Sequence, residues 1–274
     1  MELSLHPQQT EAILSTATEI LYGGAAGGGK SHLMRVAAIA WCTDIPGLQV
    51  YIFRRLSDDL AKNHMEGPTG FPSLLAEWIE AGHAKINWSK NYIEFWNGAK
   101  IHLCHCQYEK DVSKYQGAEI HVLMIDELTH FTEKIYRYLR GRCRIVGLKL
   151  KQKYLGLFPR IVAGSNPGGV GHNWVKATFI DVAAPMQIVP QPKGEGGMKR
   201  QYIPAKLADN PTLAKNDPDY GDRLEGLGNP ALVKAMRDGD WNIVAGGMFD
   251  DVWSDEHHIL KPFEIPSSWR IDRA

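Results

Sequence analysis

Apolar and polar residues are arranged along the first part of the chain in a pattern that predicts strand, loop, helix and strand in succession. Residues 8–18 have helical spacing, and they lead into a short apolar strand at residues 19–22. A glycine-rich turn at residues 23–29 separates this strand from a helix predicted at residues 30–42, and a second apolar strand follows at residues 49–53. This order is the βαβ unit of a parallel sheet.

The middle of the chain adds a hairpin and two buried strands. Residues 92–96 and 100–103 flank an Asn-Gly pair at residues 97–98, which is the strongest short sequence signal for a hairpin. Residues 121–125 and 158–163 are mainly apolar runs without regular polar alternation, as expected of strands that are covered on both faces. The pattern therefore predicts an antiparallel ribbon beside a parallel core.

The length of 274 residues allows one large α/β domain, or one such domain with an appended lobe. Hydrophobic residues make up 44% and charged residues 23%, which is typical of a soluble globular protein. The formal net charge is zero. Because tight binding of nucleic acid depends on neutralising phosphates, a neutral chain argues against a static DNA clamp. It does not argue against a translocase, which must grip and release DNA, or against a local basic patch.

The cysteines and the N-terminus bear on the cellular compartment. Four cysteines are too few and too irregularly spaced for a disulfide framework in a chain of this size. No apolar run reaches the ~20 residues that cross a bilayer, and the first residues lack the basic and apolar regions of a signal peptide. These features predict a soluble protein of a reducing cytoplasm with no membrane partner.

The glycine-rich turn matches the phosphate-binding pattern G-x4-G-K-[ST] at every fixed position. Its residues, all predicted to bind nucleotide, are Gly24, Ala25, Ala26, Gly27, Gly28, Gly29, Lys30 and Ser31. Glycines let backbone N–H groups converge on the β-phosphate, and the dipole of the following helix favours the same anion. Lys30 would bridge the β- and γ-phosphates and Ser31 would ligate Mg²⁺, which predicts ATP as the substrate. The alternative, a flexible glycine loop with a chance Lys-Ser, is disfavoured by the position between a strand and a helix.

Two adjacent acids follow the apolar strand that ends at Ile125. In open α/β sheets ligands bind at the carboxyl ends of the strands, so Asp126 and Glu127 should face the nucleotide. Asp126 would hold Mg²⁺, directly or through water, and Glu127 would orient and deprotonate the attacking water. The alternative is a helix N-terminus with two stabilising acids. A kinase activates no water and has little use for a second acid, so the pair favours hydrolysis coupled to mechanical work.

Several segments together resemble the large subunit of tailed-phage terminases. Residues 22–31 are similar to the family's variant phosphate loop, and residues 164–167 are similar to its coupling motif. The other similar segments are residues 53–55, 116–119 with 125–129, 220–242, and 246–249. The resemblance extends over roughly residues 5–252, and the combination is far more specific than any one motif.

The resemblance implies an α/β fold, namely a RecA-like P-loop NTPase of the additional-strand (ASCE) class with a mainly parallel central sheet flanked by helices. An antiparallel hairpin would be added to that sheet, with a small lid or linker region near the C-terminus. The ATPase domain would comprise residues 1–252, of which about 205–252 form the lid. Residues 253–274 would be a linker and the start of a nuclease domain that is absent from the chain, so nuclease activity is expected only in the full-length protein.

The function that the resemblance implies is ATP hydrolysis that drives double-stranded viral DNA into a preformed capsid. Ser165 and Asn166 would couple the ATP state to movement, and Gln9, about twenty residues before Lys30, would read the adenine edge. An exposed glutamine at a helix start is the alternative for Gln9. The implied partners are double-stranded DNA, the portal protein and the small terminase subunit. The protein would be a monomer in isolation, a homo-oligomeric ring on the capsid, and a soluble viral protein of the host cytoplasm.

Two departures from the family pattern concern positive charge. Many members carry an arginine inside the phosphate loop, where this chain has Ala25 and Ala26, and some carry one where this chain has Gln116. The charge that compensates the γ-phosphate must then come from elsewhere. Residues 134–160 contain basic residues and no acids, so they could face DNA, a neighbouring subunit's nucleotide, or solvent. The candidate residues are Arg142 and Arg144 from a neighbouring subunit, and Arg54 and Arg55 within the chain.

Other interpretations share parts of this pattern. A superfamily 2 helicase or translocase would use the same glutamine, loop and acid pair, but it should carry a second RecA-like domain, for which no room remains. A nucleotide-gated binding module would not hydrolyse ATP, and Glu127 argues against it. A metal site could be drawn from His102, Cys104, His105 and Cys106. Strand alternation places His105 on the opposite face, and no second ligand pair lies at finger spacing, so a packed hairpin strand is favoured.

Overall fold

A computed structural model describes residues 3–242, 263–264 and 269 of the chain. The predicted end of the ATPase domain at residues 243–252 lies outside them, as does almost all of the predicted linker and nuclease start at 253–274. Within the described residues nine strands form one sheet. The strands are β1 (Glu19–Gly24), β2 (Gln49–Arg54), β3 (Ala84–Asn87), β4 (Tyr92–Phe95), β5 (Lys100–His105), β6 (Val122–Asp126), β7 (Arg160–Ser165), β8 (Ile188–Pro190) and β9 (Lys199–Ala205).

The sheet has a parallel centre and antiparallel edges. Its strand order is β3-β4-β5-β2-β6-β7-β1-β9-β8, and the strands from β5 to β9 in this order run parallel. Strands β4 and β3 extend one edge and β8 extends the other, each by antiparallel pairing. Strand β7 lies between β1, which precedes the glycine-rich loop, and β6, which ends in the first acid. This is the additional strand that the predicted class requires, and the predicted fold is confirmed.

Helices cover both faces of the sheet. The helices are α1 (Pro7–Leu14), α2 (Lys30–Asp44), α3 (Ser57–His64), α4 (Phe71–Leu74), α5 (Ala76–Glu80), α6 (Glu133–Arg140), α7 (His172–Val175), α8 (Pro211–Asn216), α9 (Tyr220–Glu225) and α10 (Pro230–Val233). Short π-helical or 3₁₀ segments lie at Glu109–Tyr115, Leu128–His130, Gln152–Tyr154, Lys176–Ile180, Lys193–Glu195, Leu207–Asp209 and Lys234–Asp238. No helix in the described ranges is long and apolar enough to cross a bilayer.

The central strands are buried on both faces, which explains why their sequences lack polar alternation. Every residue of β1, β6 and β7 is buried. Neighbouring residues of β6 enter different cores, because Met124 packs in the core that contains Trp41 of α2, whereas Leu123 packs in the core that contains Ile135 of α6. Each large apolar side chain contributes roughly 1.5–3 kcal/mol when it leaves water. Packing on both faces therefore holds the carboxyl ends of these strands in fixed positions.

The Asn-Gly hairpin forms as predicted, whereas α1 ends earlier than predicted. Strands β4 and β5 pair in antiparallel register, and Gly98 occupies the turn with φ +79°. Helix α1 ends at Leu14 instead of residue 18 because Ser15 adopts an extended backbone with ψ 142°. The Ser15 hydroxyl then accepts a hydrogen bond from the Ala17 N–H at 3.0 Å, which turns the chain directly into β1.

Candidate active site

The loop between β1 and α2 follows a path that requires glycine. Gly27 has φ +77°, and a Cβ on it would lie 2.9 Å from Leu207 Cδ1. Gly29, the residue before α2, has φ +74°, and a Cβ on it would lie 2.5 Å from Gln9 Nε2. Other residues rarely adopt these φ angles, so both the backbone conformation and the surrounding atoms explain the glycine-rich sequence.

Among the described residues, several backbone N–H groups of the loop have no hydrogen-bond acceptor. Ala25 donates to Ala205 O at 3.2 Å, and Ala26 donates to Met236 O at 2.7 Å. The N–H groups of residues 27–29 donate to no acceptor within the described part of the chain. They lie at the N-terminus of α2, a helix of 15 residues, where free N–H groups and the helix dipole both favour an anion. The loop thus has the geometry of an anion site.

Lys30 begins α2, and its ammonium group is buried over the loop. The residue is 8% exposed, and Nζ donates to Ala25 O at 2.8 Å and to Asn166 Oδ1 at 2.6 Å. Burial lowers the pKa of Lys30, and the carboxylates of Glu127 and Asp126 oppose this shift. A buried cation whose hydrogen-bond acceptors are both neutral would be stabilised by an anion. Lys30 therefore adds to the anion site of the loop.

Three side chains converge on the buried carboxylate of Asp126 at the carboxyl end of β6. Arg54 Nε lies 2.9 Å from Oδ2, and His64 Nε2 lies 3.1 Å from the same oxygen. The Ser31 hydroxyl lies 3.1 Å from Oδ2 and 3.3 Å from Oδ1. Burial alone would raise the pKa of Asp126, but the hydrogen bond from His64 and the Arg54 guanidinium hold it well below its usual range. Asp126 is therefore ionised at neutral pH.

Ser31 and Asp126 together fit the requirements of Mg²⁺. This ion prefers oxygen ligands, and proteins usually bind it through one or two side chains together with waters and substrate phosphates. The Ser31 hydroxyl and the ionised Asp126 carboxylate supply such oxygens in direct contact with each other. They lie next to the free N–H groups of the loop, so the site suits a metal ion that accompanies a phosphate chain.

Glu127 follows Asp126 in the left-handed backbone region, with φ 63° and ψ 65°. For a residue other than glycine this conformation costs about 1–3 kcal/mol, and such strain concentrates at active sites. The Glu127 side chain is 18% exposed, and its Oε1 lies 3.9 Å from Arg54 Nη2. It lines the same cavity as Lys30 and Ser31. The two acids thus differ, because Asp126 is fully enclosed and Glu127 is open to the cavity.

The end of β7 is tied by hydrogen bonds to the segment after the acids and to Lys30. Ser165 Oγ accepts from the Thr129 N–H at 3.1 Å and donates to Thr129 Oγ1 at 2.9 Å. Thr129 Oγ1 donates to Asn166 O at 3.1 Å, while Asn166 Oδ1 accepts from Lys30 Nζ. Lys30 is therefore connected to the end of β7 through the side chain of Asn166, and the segment after the acids is connected to it through the backbone carbonyl of Asn166.

A cavity of about 590 Å³ opens beside the loop, and Gln9 forms part of its wall. Gln9 is buried, so it is not the exposed glutamine that was the alternative. Its Nε2 donates to Gly29 O at 2.9 Å, and its Oε1 accepts from the His6 N–H at 2.8 Å. Gln9 therefore fixes the last glycine of the loop, and its contact with adenine stays a prediction. Apolar and aromatic lining for a base comes from Leu213 and Tyr220.

The segment after β9 packs directly on the loop. Asn210 Nδ2 donates to Gly27 O at 2.7 Å. Gly239 approaches Gly24 so closely that a Cβ on Gly239 would lie 2.7 Å from the Gly24 carbonyl carbon. These contacts place the described part of the predicted lid, residues 205–242, against the loop. Its movement as a lid stays a prediction.

Arg54 and Arg55 lie at the end of β2, on the cavity side of the sheet. Arg54 lines the cavity and contacts both acids, as described above. Arg55 follows it and is partly buried. Within the described residues the Arg55 side chain has no hydrogen bond or ion pair. Arg54 is therefore the candidate arginine that already lies at the acid pair.

Arg142 and Arg144 lie at the other end of β6. The Ile120 N–H donates to Arg142 O at 3.3 Å, and the Arg144 N–H donates to Ile120 O at 3.0 Å. Ile120 precedes β6, and the strand from there to Asp126 spans about 20 Å. Neither arginine can reach the cavity of its own chain. A role in hydrolysis would require the cavity of a neighbouring subunit, and that role stays a prediction.

Most other basic residues between positions 134 and 160 are paired with acids. Lys134 Nζ lies 2.8 Å from Glu109 Oε2, and Lys153 Nζ lies 2.7 Å from Asp44 Oδ2. The other ion-paired residues of the segment are Arg137, Arg140 and Lys151. No carboxylate partner within the described residues contacts Arg142, Arg144, Lys149 or the buried Arg160. The chain therefore neutralises most of this segment's charge internally.

The histidines and cysteines of the hairpin make ordinary packing contacts. His102 stacks on Tyr51 with ring centroids 4.3 Å apart, and its Nε2 lies 2.8 Å from Gln49 Oε1. Burial raises the pKa of Cys104 to about 12. The ranges that the structure describes hold no group of three or more His, Cys, Asp or Glu that could bind a metal ion.

Three residues of the site are not identified as functional by the sequence pattern. His64 ends α3, and nothing in its local sequence distinguishes it from a surface histidine. Arg35 lines the cavity, with Nη1 donating to Asn63 O at 2.6 Å. Helical spacing could have indicated Arg35, because it lies one turn after Ser31 on the same face of α2. Thr129 was part of a matching segment, but its link to β7 depends on the fold.

Comparisons with known proteins give one family and several similar folds. A family model described as terminase large subunit, T4likevirus-type, N-terminal, matches residues 21–255. The large terminase of a thermophilic bacteriophage is similar with a TM-score of 0.65 and 16% identity, over 96% of this chain and 60% of that chain. A second structure of that large terminase, in complex with ADP, has a TM-score of 0.64 and 15% identity, over 95% of this chain and 60% of that one.

The large terminase ATPase domain of Thermus phage P74-26 is also similar. Its TM-score is 0.57 with 15% identity, over 87% of this chain and 94% of that domain. At such low identity the solved structures show the shared fold alone. The chain covers 60% of the length of the large terminase of the thermophilic bacteriophage in both of its structures. Comparison with curated proteins found no match.

Proposed function

The chain belongs to the family of terminase large subunits of the T4-like type, as their N-terminal part, and we propose that it hydrolyses ATP to drive double-stranded viral DNA into a preformed capsid. The observation that carries the proposal is the meeting of the glycine-rich loop, Lys30, Ser31 and Glu127 at one cavity beside the buried Asp126. Free N–H groups, a buried cation and two oxygen ligands are what a Mg²⁺–ATP complex needs. The similarly folded large terminase of a thermophilic bacteriophage binds ADP in one of its structures.

The first step of the proposed reaction is capture of the phosphate chain by the loop. The N–H groups of residues 27–29 would donate to the β-phosphate, and Lys30 would exchange Asn166 and Ala25 for the β- and γ-phosphates. Ser31 and Asp126 would hold Mg²⁺, whose charge offsets that of the phosphates. Gly24, Ala25 and Ala26 would shape the loop through their backbone, and Gln9 would contact adenine.

The second step is attack by water on the γ-phosphorus, which would break its bond to the bridging oxygen and release ADP and phosphate. Glu127 is the proposed base for this water. Its carboxylate is partly exposed to the cavity, so it can accept a hydrogen bond from a water beside the γ-phosphate and take its proton. Asp126 is unsuited to this role, because its oxygens already accept from Ser31, Arg54 and His64. The pair therefore divides metal binding from base catalysis.

Two sources are proposed for the positive charge that would compensate the negative charge developing on the γ-phosphate. Arg54 is the source within the chain, with Arg55 as its neighbour, because Arg54 already lines the cavity. Arg142 and Arg144 are the proposed source from a neighbouring chain, because they lie too far from the cavity of their own chain. The alanines at positions 25 and 26 leave the loop without an arginine of its own.

Coupling to movement would use the hydrogen bonds at the end of β7. When Lys30 turns to the phosphates, Asn166 loses its donor, and the link through Thr129 and Ser165 transmits this change to the segment after the acids. Loss of the γ-phosphate would reverse the exchange. Ser165 and Asn166 are thus proposed as the coupling residues.

The wider assembly is proposed from the family. We infer that residues 1–252 are the ATPase domain, with 205–252 as a lid, and that 253–274 lead to a nuclease domain. The proposed partners are double-stranded DNA, the portal protein and the small terminase subunit. The protein would form a homo-oligomeric ring on the capsid and would be a monomer in isolation. The host cytoplasm would be the site of action.

The test measures phosphate release from Mg²⁺–ATP by the chain, and DNA packaging by the full-length protein on portal-bearing capsids. Lys30→Ala should abolish both, because the cation across the β- and γ-phosphates is lost. Lys149→Ala removes a lysine without a carboxylate partner among the described residues and should leave ATP turnover unchanged. Turnover by Lys30→Ala at the parent rate would contradict the proposal, and ATP binding by the parent without turnover would favour a nucleotide-gated module.

A further inference from the structure

His64 is a buried histidine whose side chain makes one hydrogen bond within the described residues, to the proposed metal ligand. It is the last residue of α3 and is fully buried. Its ring lies against Phe71, with centroids 6.2 Å apart and an angle of 25° between the rings. Nε2 lies 3.1 Å from Asp126 Oδ2, and the buried Nδ1 has no hydrogen-bond partner within the described residues.

The carboxylate of Asp126 determines which nitrogen of the His64 ring carries the hydrogen. An ionised carboxylate can only accept, so Nε2 carries the hydrogen and donates it to Asp126. Nδ1 remains without a partner at a cost that an apolar ring of similar size would avoid, since buried polar atoms are nearly always hydrogen-bonded. Packing against Phe71 alone therefore does not account for a histidine at position 64.

The two oxygens of Asp126 share Ser31 but differ in their other partners. The Ser31 hydroxyl lies 3.1 Å from Oδ2 and 3.3 Å from Oδ1. Oδ2 also accepts from Arg54 and His64, whereas Oδ1 has no further hydrogen-bond partner within the described residues. Arg54 is 12% exposed at the cavity and also lies near Glu127, so it can turn toward a bound phosphate. His64 has no exposed surface and no second hydrogen-bond partner within the described residues, so we expect it to stay on Oδ2 when Arg54 moves.

We propose that His64 is a positioning residue that holds Oδ2 of Asp126 so that Oδ1, the oxygen with fewer hydrogen bonds, stays turned toward the Mg²⁺ of the nucleotide complex. This inference rests on the proposed function. Residues that orient a metal ligand commonly change metal affinity by about 10- to 100-fold when they are replaced. His64 would act in this way, through Asp126 and without touching the ion.

The experiment measures Mn²⁺ binding to the chain saturated with ADP, by electron paramagnetic resonance, together with ADP affinity in the absence of divalent metal. His64→Leu fills the space without a donor, and we expect it to weaken Mn²⁺ binding about 10- to 100-fold while metal-free ADP affinity is retained. His64→Gln restores an N–H near the position of Nε2 and should recover most of the Mn²⁺ affinity. Phe71→Leu alters the same packing but keeps the donor, so it should bind Mn²⁺ like the parent.

The outcomes separate the inference from the function on which it rests. Equal Mn²⁺ affinity in folded His64→Leu and the parent would overturn the positioning role. So would a loss in His64→Gln or Phe71→Leu as large as the loss in His64→Leu, because the packing and not the donor would then matter. A parent chain that binds ADP but shows no Mn²⁺ binding with it would contradict the proposed Mg²⁺–ATP site itself.

Discussion

The amino and carboxyl ends of the parallel strands both carry buried charges, but the charges are arranged differently. At the amino end Glu19, the first residue of β1, accepts from Arg200 Nε at 2.7 Å, from Arg140 Nη1 at 3.3 Å and from the Tyr136 hydroxyl. At the carboxyl end the Lys30 ammonium contacts only neutral oxygens and faces a cavity of about 590 Å³. In the first set each arginine contacts the carboxylate of Glu19, whereas in the second the Lys30 ammonium contacts no carboxylate within the described residues.

A cavity alone does not make the difference. The amino end also has one, of about 490 Å³, lined by Arg137 and Arg140. These two arginines are ion-paired with Glu133, Glu195 and Glu19, so they are already compensated. At the carboxyl end the loop N–H groups have no acceptor within the described residues. The comparison of the two cavities shows that a buried ammonium without a carboxylate contact, beside free loop N–H groups, distinguishes the candidate active site, whereas cavity volume does not.

The largest expected effect concerns an arginine at the amino end of the strands in one subunit that would act at the carboxyl end of the strands in the next subunit. If Arg142 or Arg144 of one subunit serves the cavity of the next, total ATP turnover should rise more than linearly with protein concentration. An arginine finger contributes roughly 10³–10⁵ in rate. Replacing the responsible arginine by Ala should lower turnover of the assembled ring by that factor, with ATP affinity nearly unchanged.

A mixing experiment separates a finger from the neighbour from one within the chain. Subunits with Arg142→Ala or Arg144→Ala keep an intact acid pair, and Glu127→Gln subunits keep intact arginines. A mixture of the two should recover turnover when the finger comes from the neighbour. A dilute monomer that hydrolyses ATP at motor-like rates, with loss only in Arg54→Ala or Arg55→Ala, would show that the carboxyl end supplies its own arginine.

Glu127→Gln should have the next largest effect, on the rate and not on binding. General-base catalysis contributes roughly 10²–10⁴-fold, and an amide cannot take the proton from water. Nucleotide binding should persist because the loop, Lys30 and Ser31 are unchanged. Single-turnover phosphate release and ADP affinity measure the two quantities separately. Hydrolysis at the parent rate would show that the base has been assigned wrongly.

Glu19→Gln tests the amino end, where a large effect on stability and none on chemistry is expected. Removing this carboxylate leaves Arg200 and Arg140 without their buried counter-charge, which typically costs about 3–5 kcal/mol. Urea unfolding should show this loss, while ATP turnover per folded molecule should match the parent. Asp44→Asn is the matched control, since its partners Lys151 and Lys153 are exposed and such pairs contribute about 0–1 kcal/mol. Equal losses for both variants would contradict the comparison.

The carboxyl end could be predicted from the sequence to a large extent because its main residues directly follow apolar strands. Lys30 comes after β1 and a glycine-rich turn, and Asp126 comes at the end of β6, so local patterns located both. The parallel sheet then brings these strand ends together. The hairpin was predictable for the same reason, since its turn signal is local.

What could not be predicted depends on contacts between distant segments. His64 meets Asp126 only because α3 returns the chain from β2 to the same end of the sheet, and no local pattern encodes that approach. The bonds of Gln9 with Gly29, and of Ala26 with Met236, are equally non-local. The hydrogen bonds around Glu19 at the amino end could not be predicted either, because Glu19 and Arg200 lie on strands far apart in sequence.

Asn166→Ala should have the smallest effect on binding, yet it tests how the carboxyl end is connected to movement. The variant removes one of the two acceptors of the Lys30 ammonium and leaves Ala25 O in place. Because the phosphates would replace Asn166 in the bound state, ATP affinity should change by less than about tenfold, or ~1.4 kcal/mol. DNA packaged per ATP should fall, because the chain of hydrogen bonds from Lys30 to Thr129 is broken. Asn216→Ala, which also lines the cavity but has no hydrogen bond to Lys30, is the matched control and should package like the parent. Equal packaging per ATP by Asn166→Ala and the parent would remove the coupling role from Asn166 and leave it as a neutral support for a buried cation, which would make the carboxyl end as self-contained as the amino end.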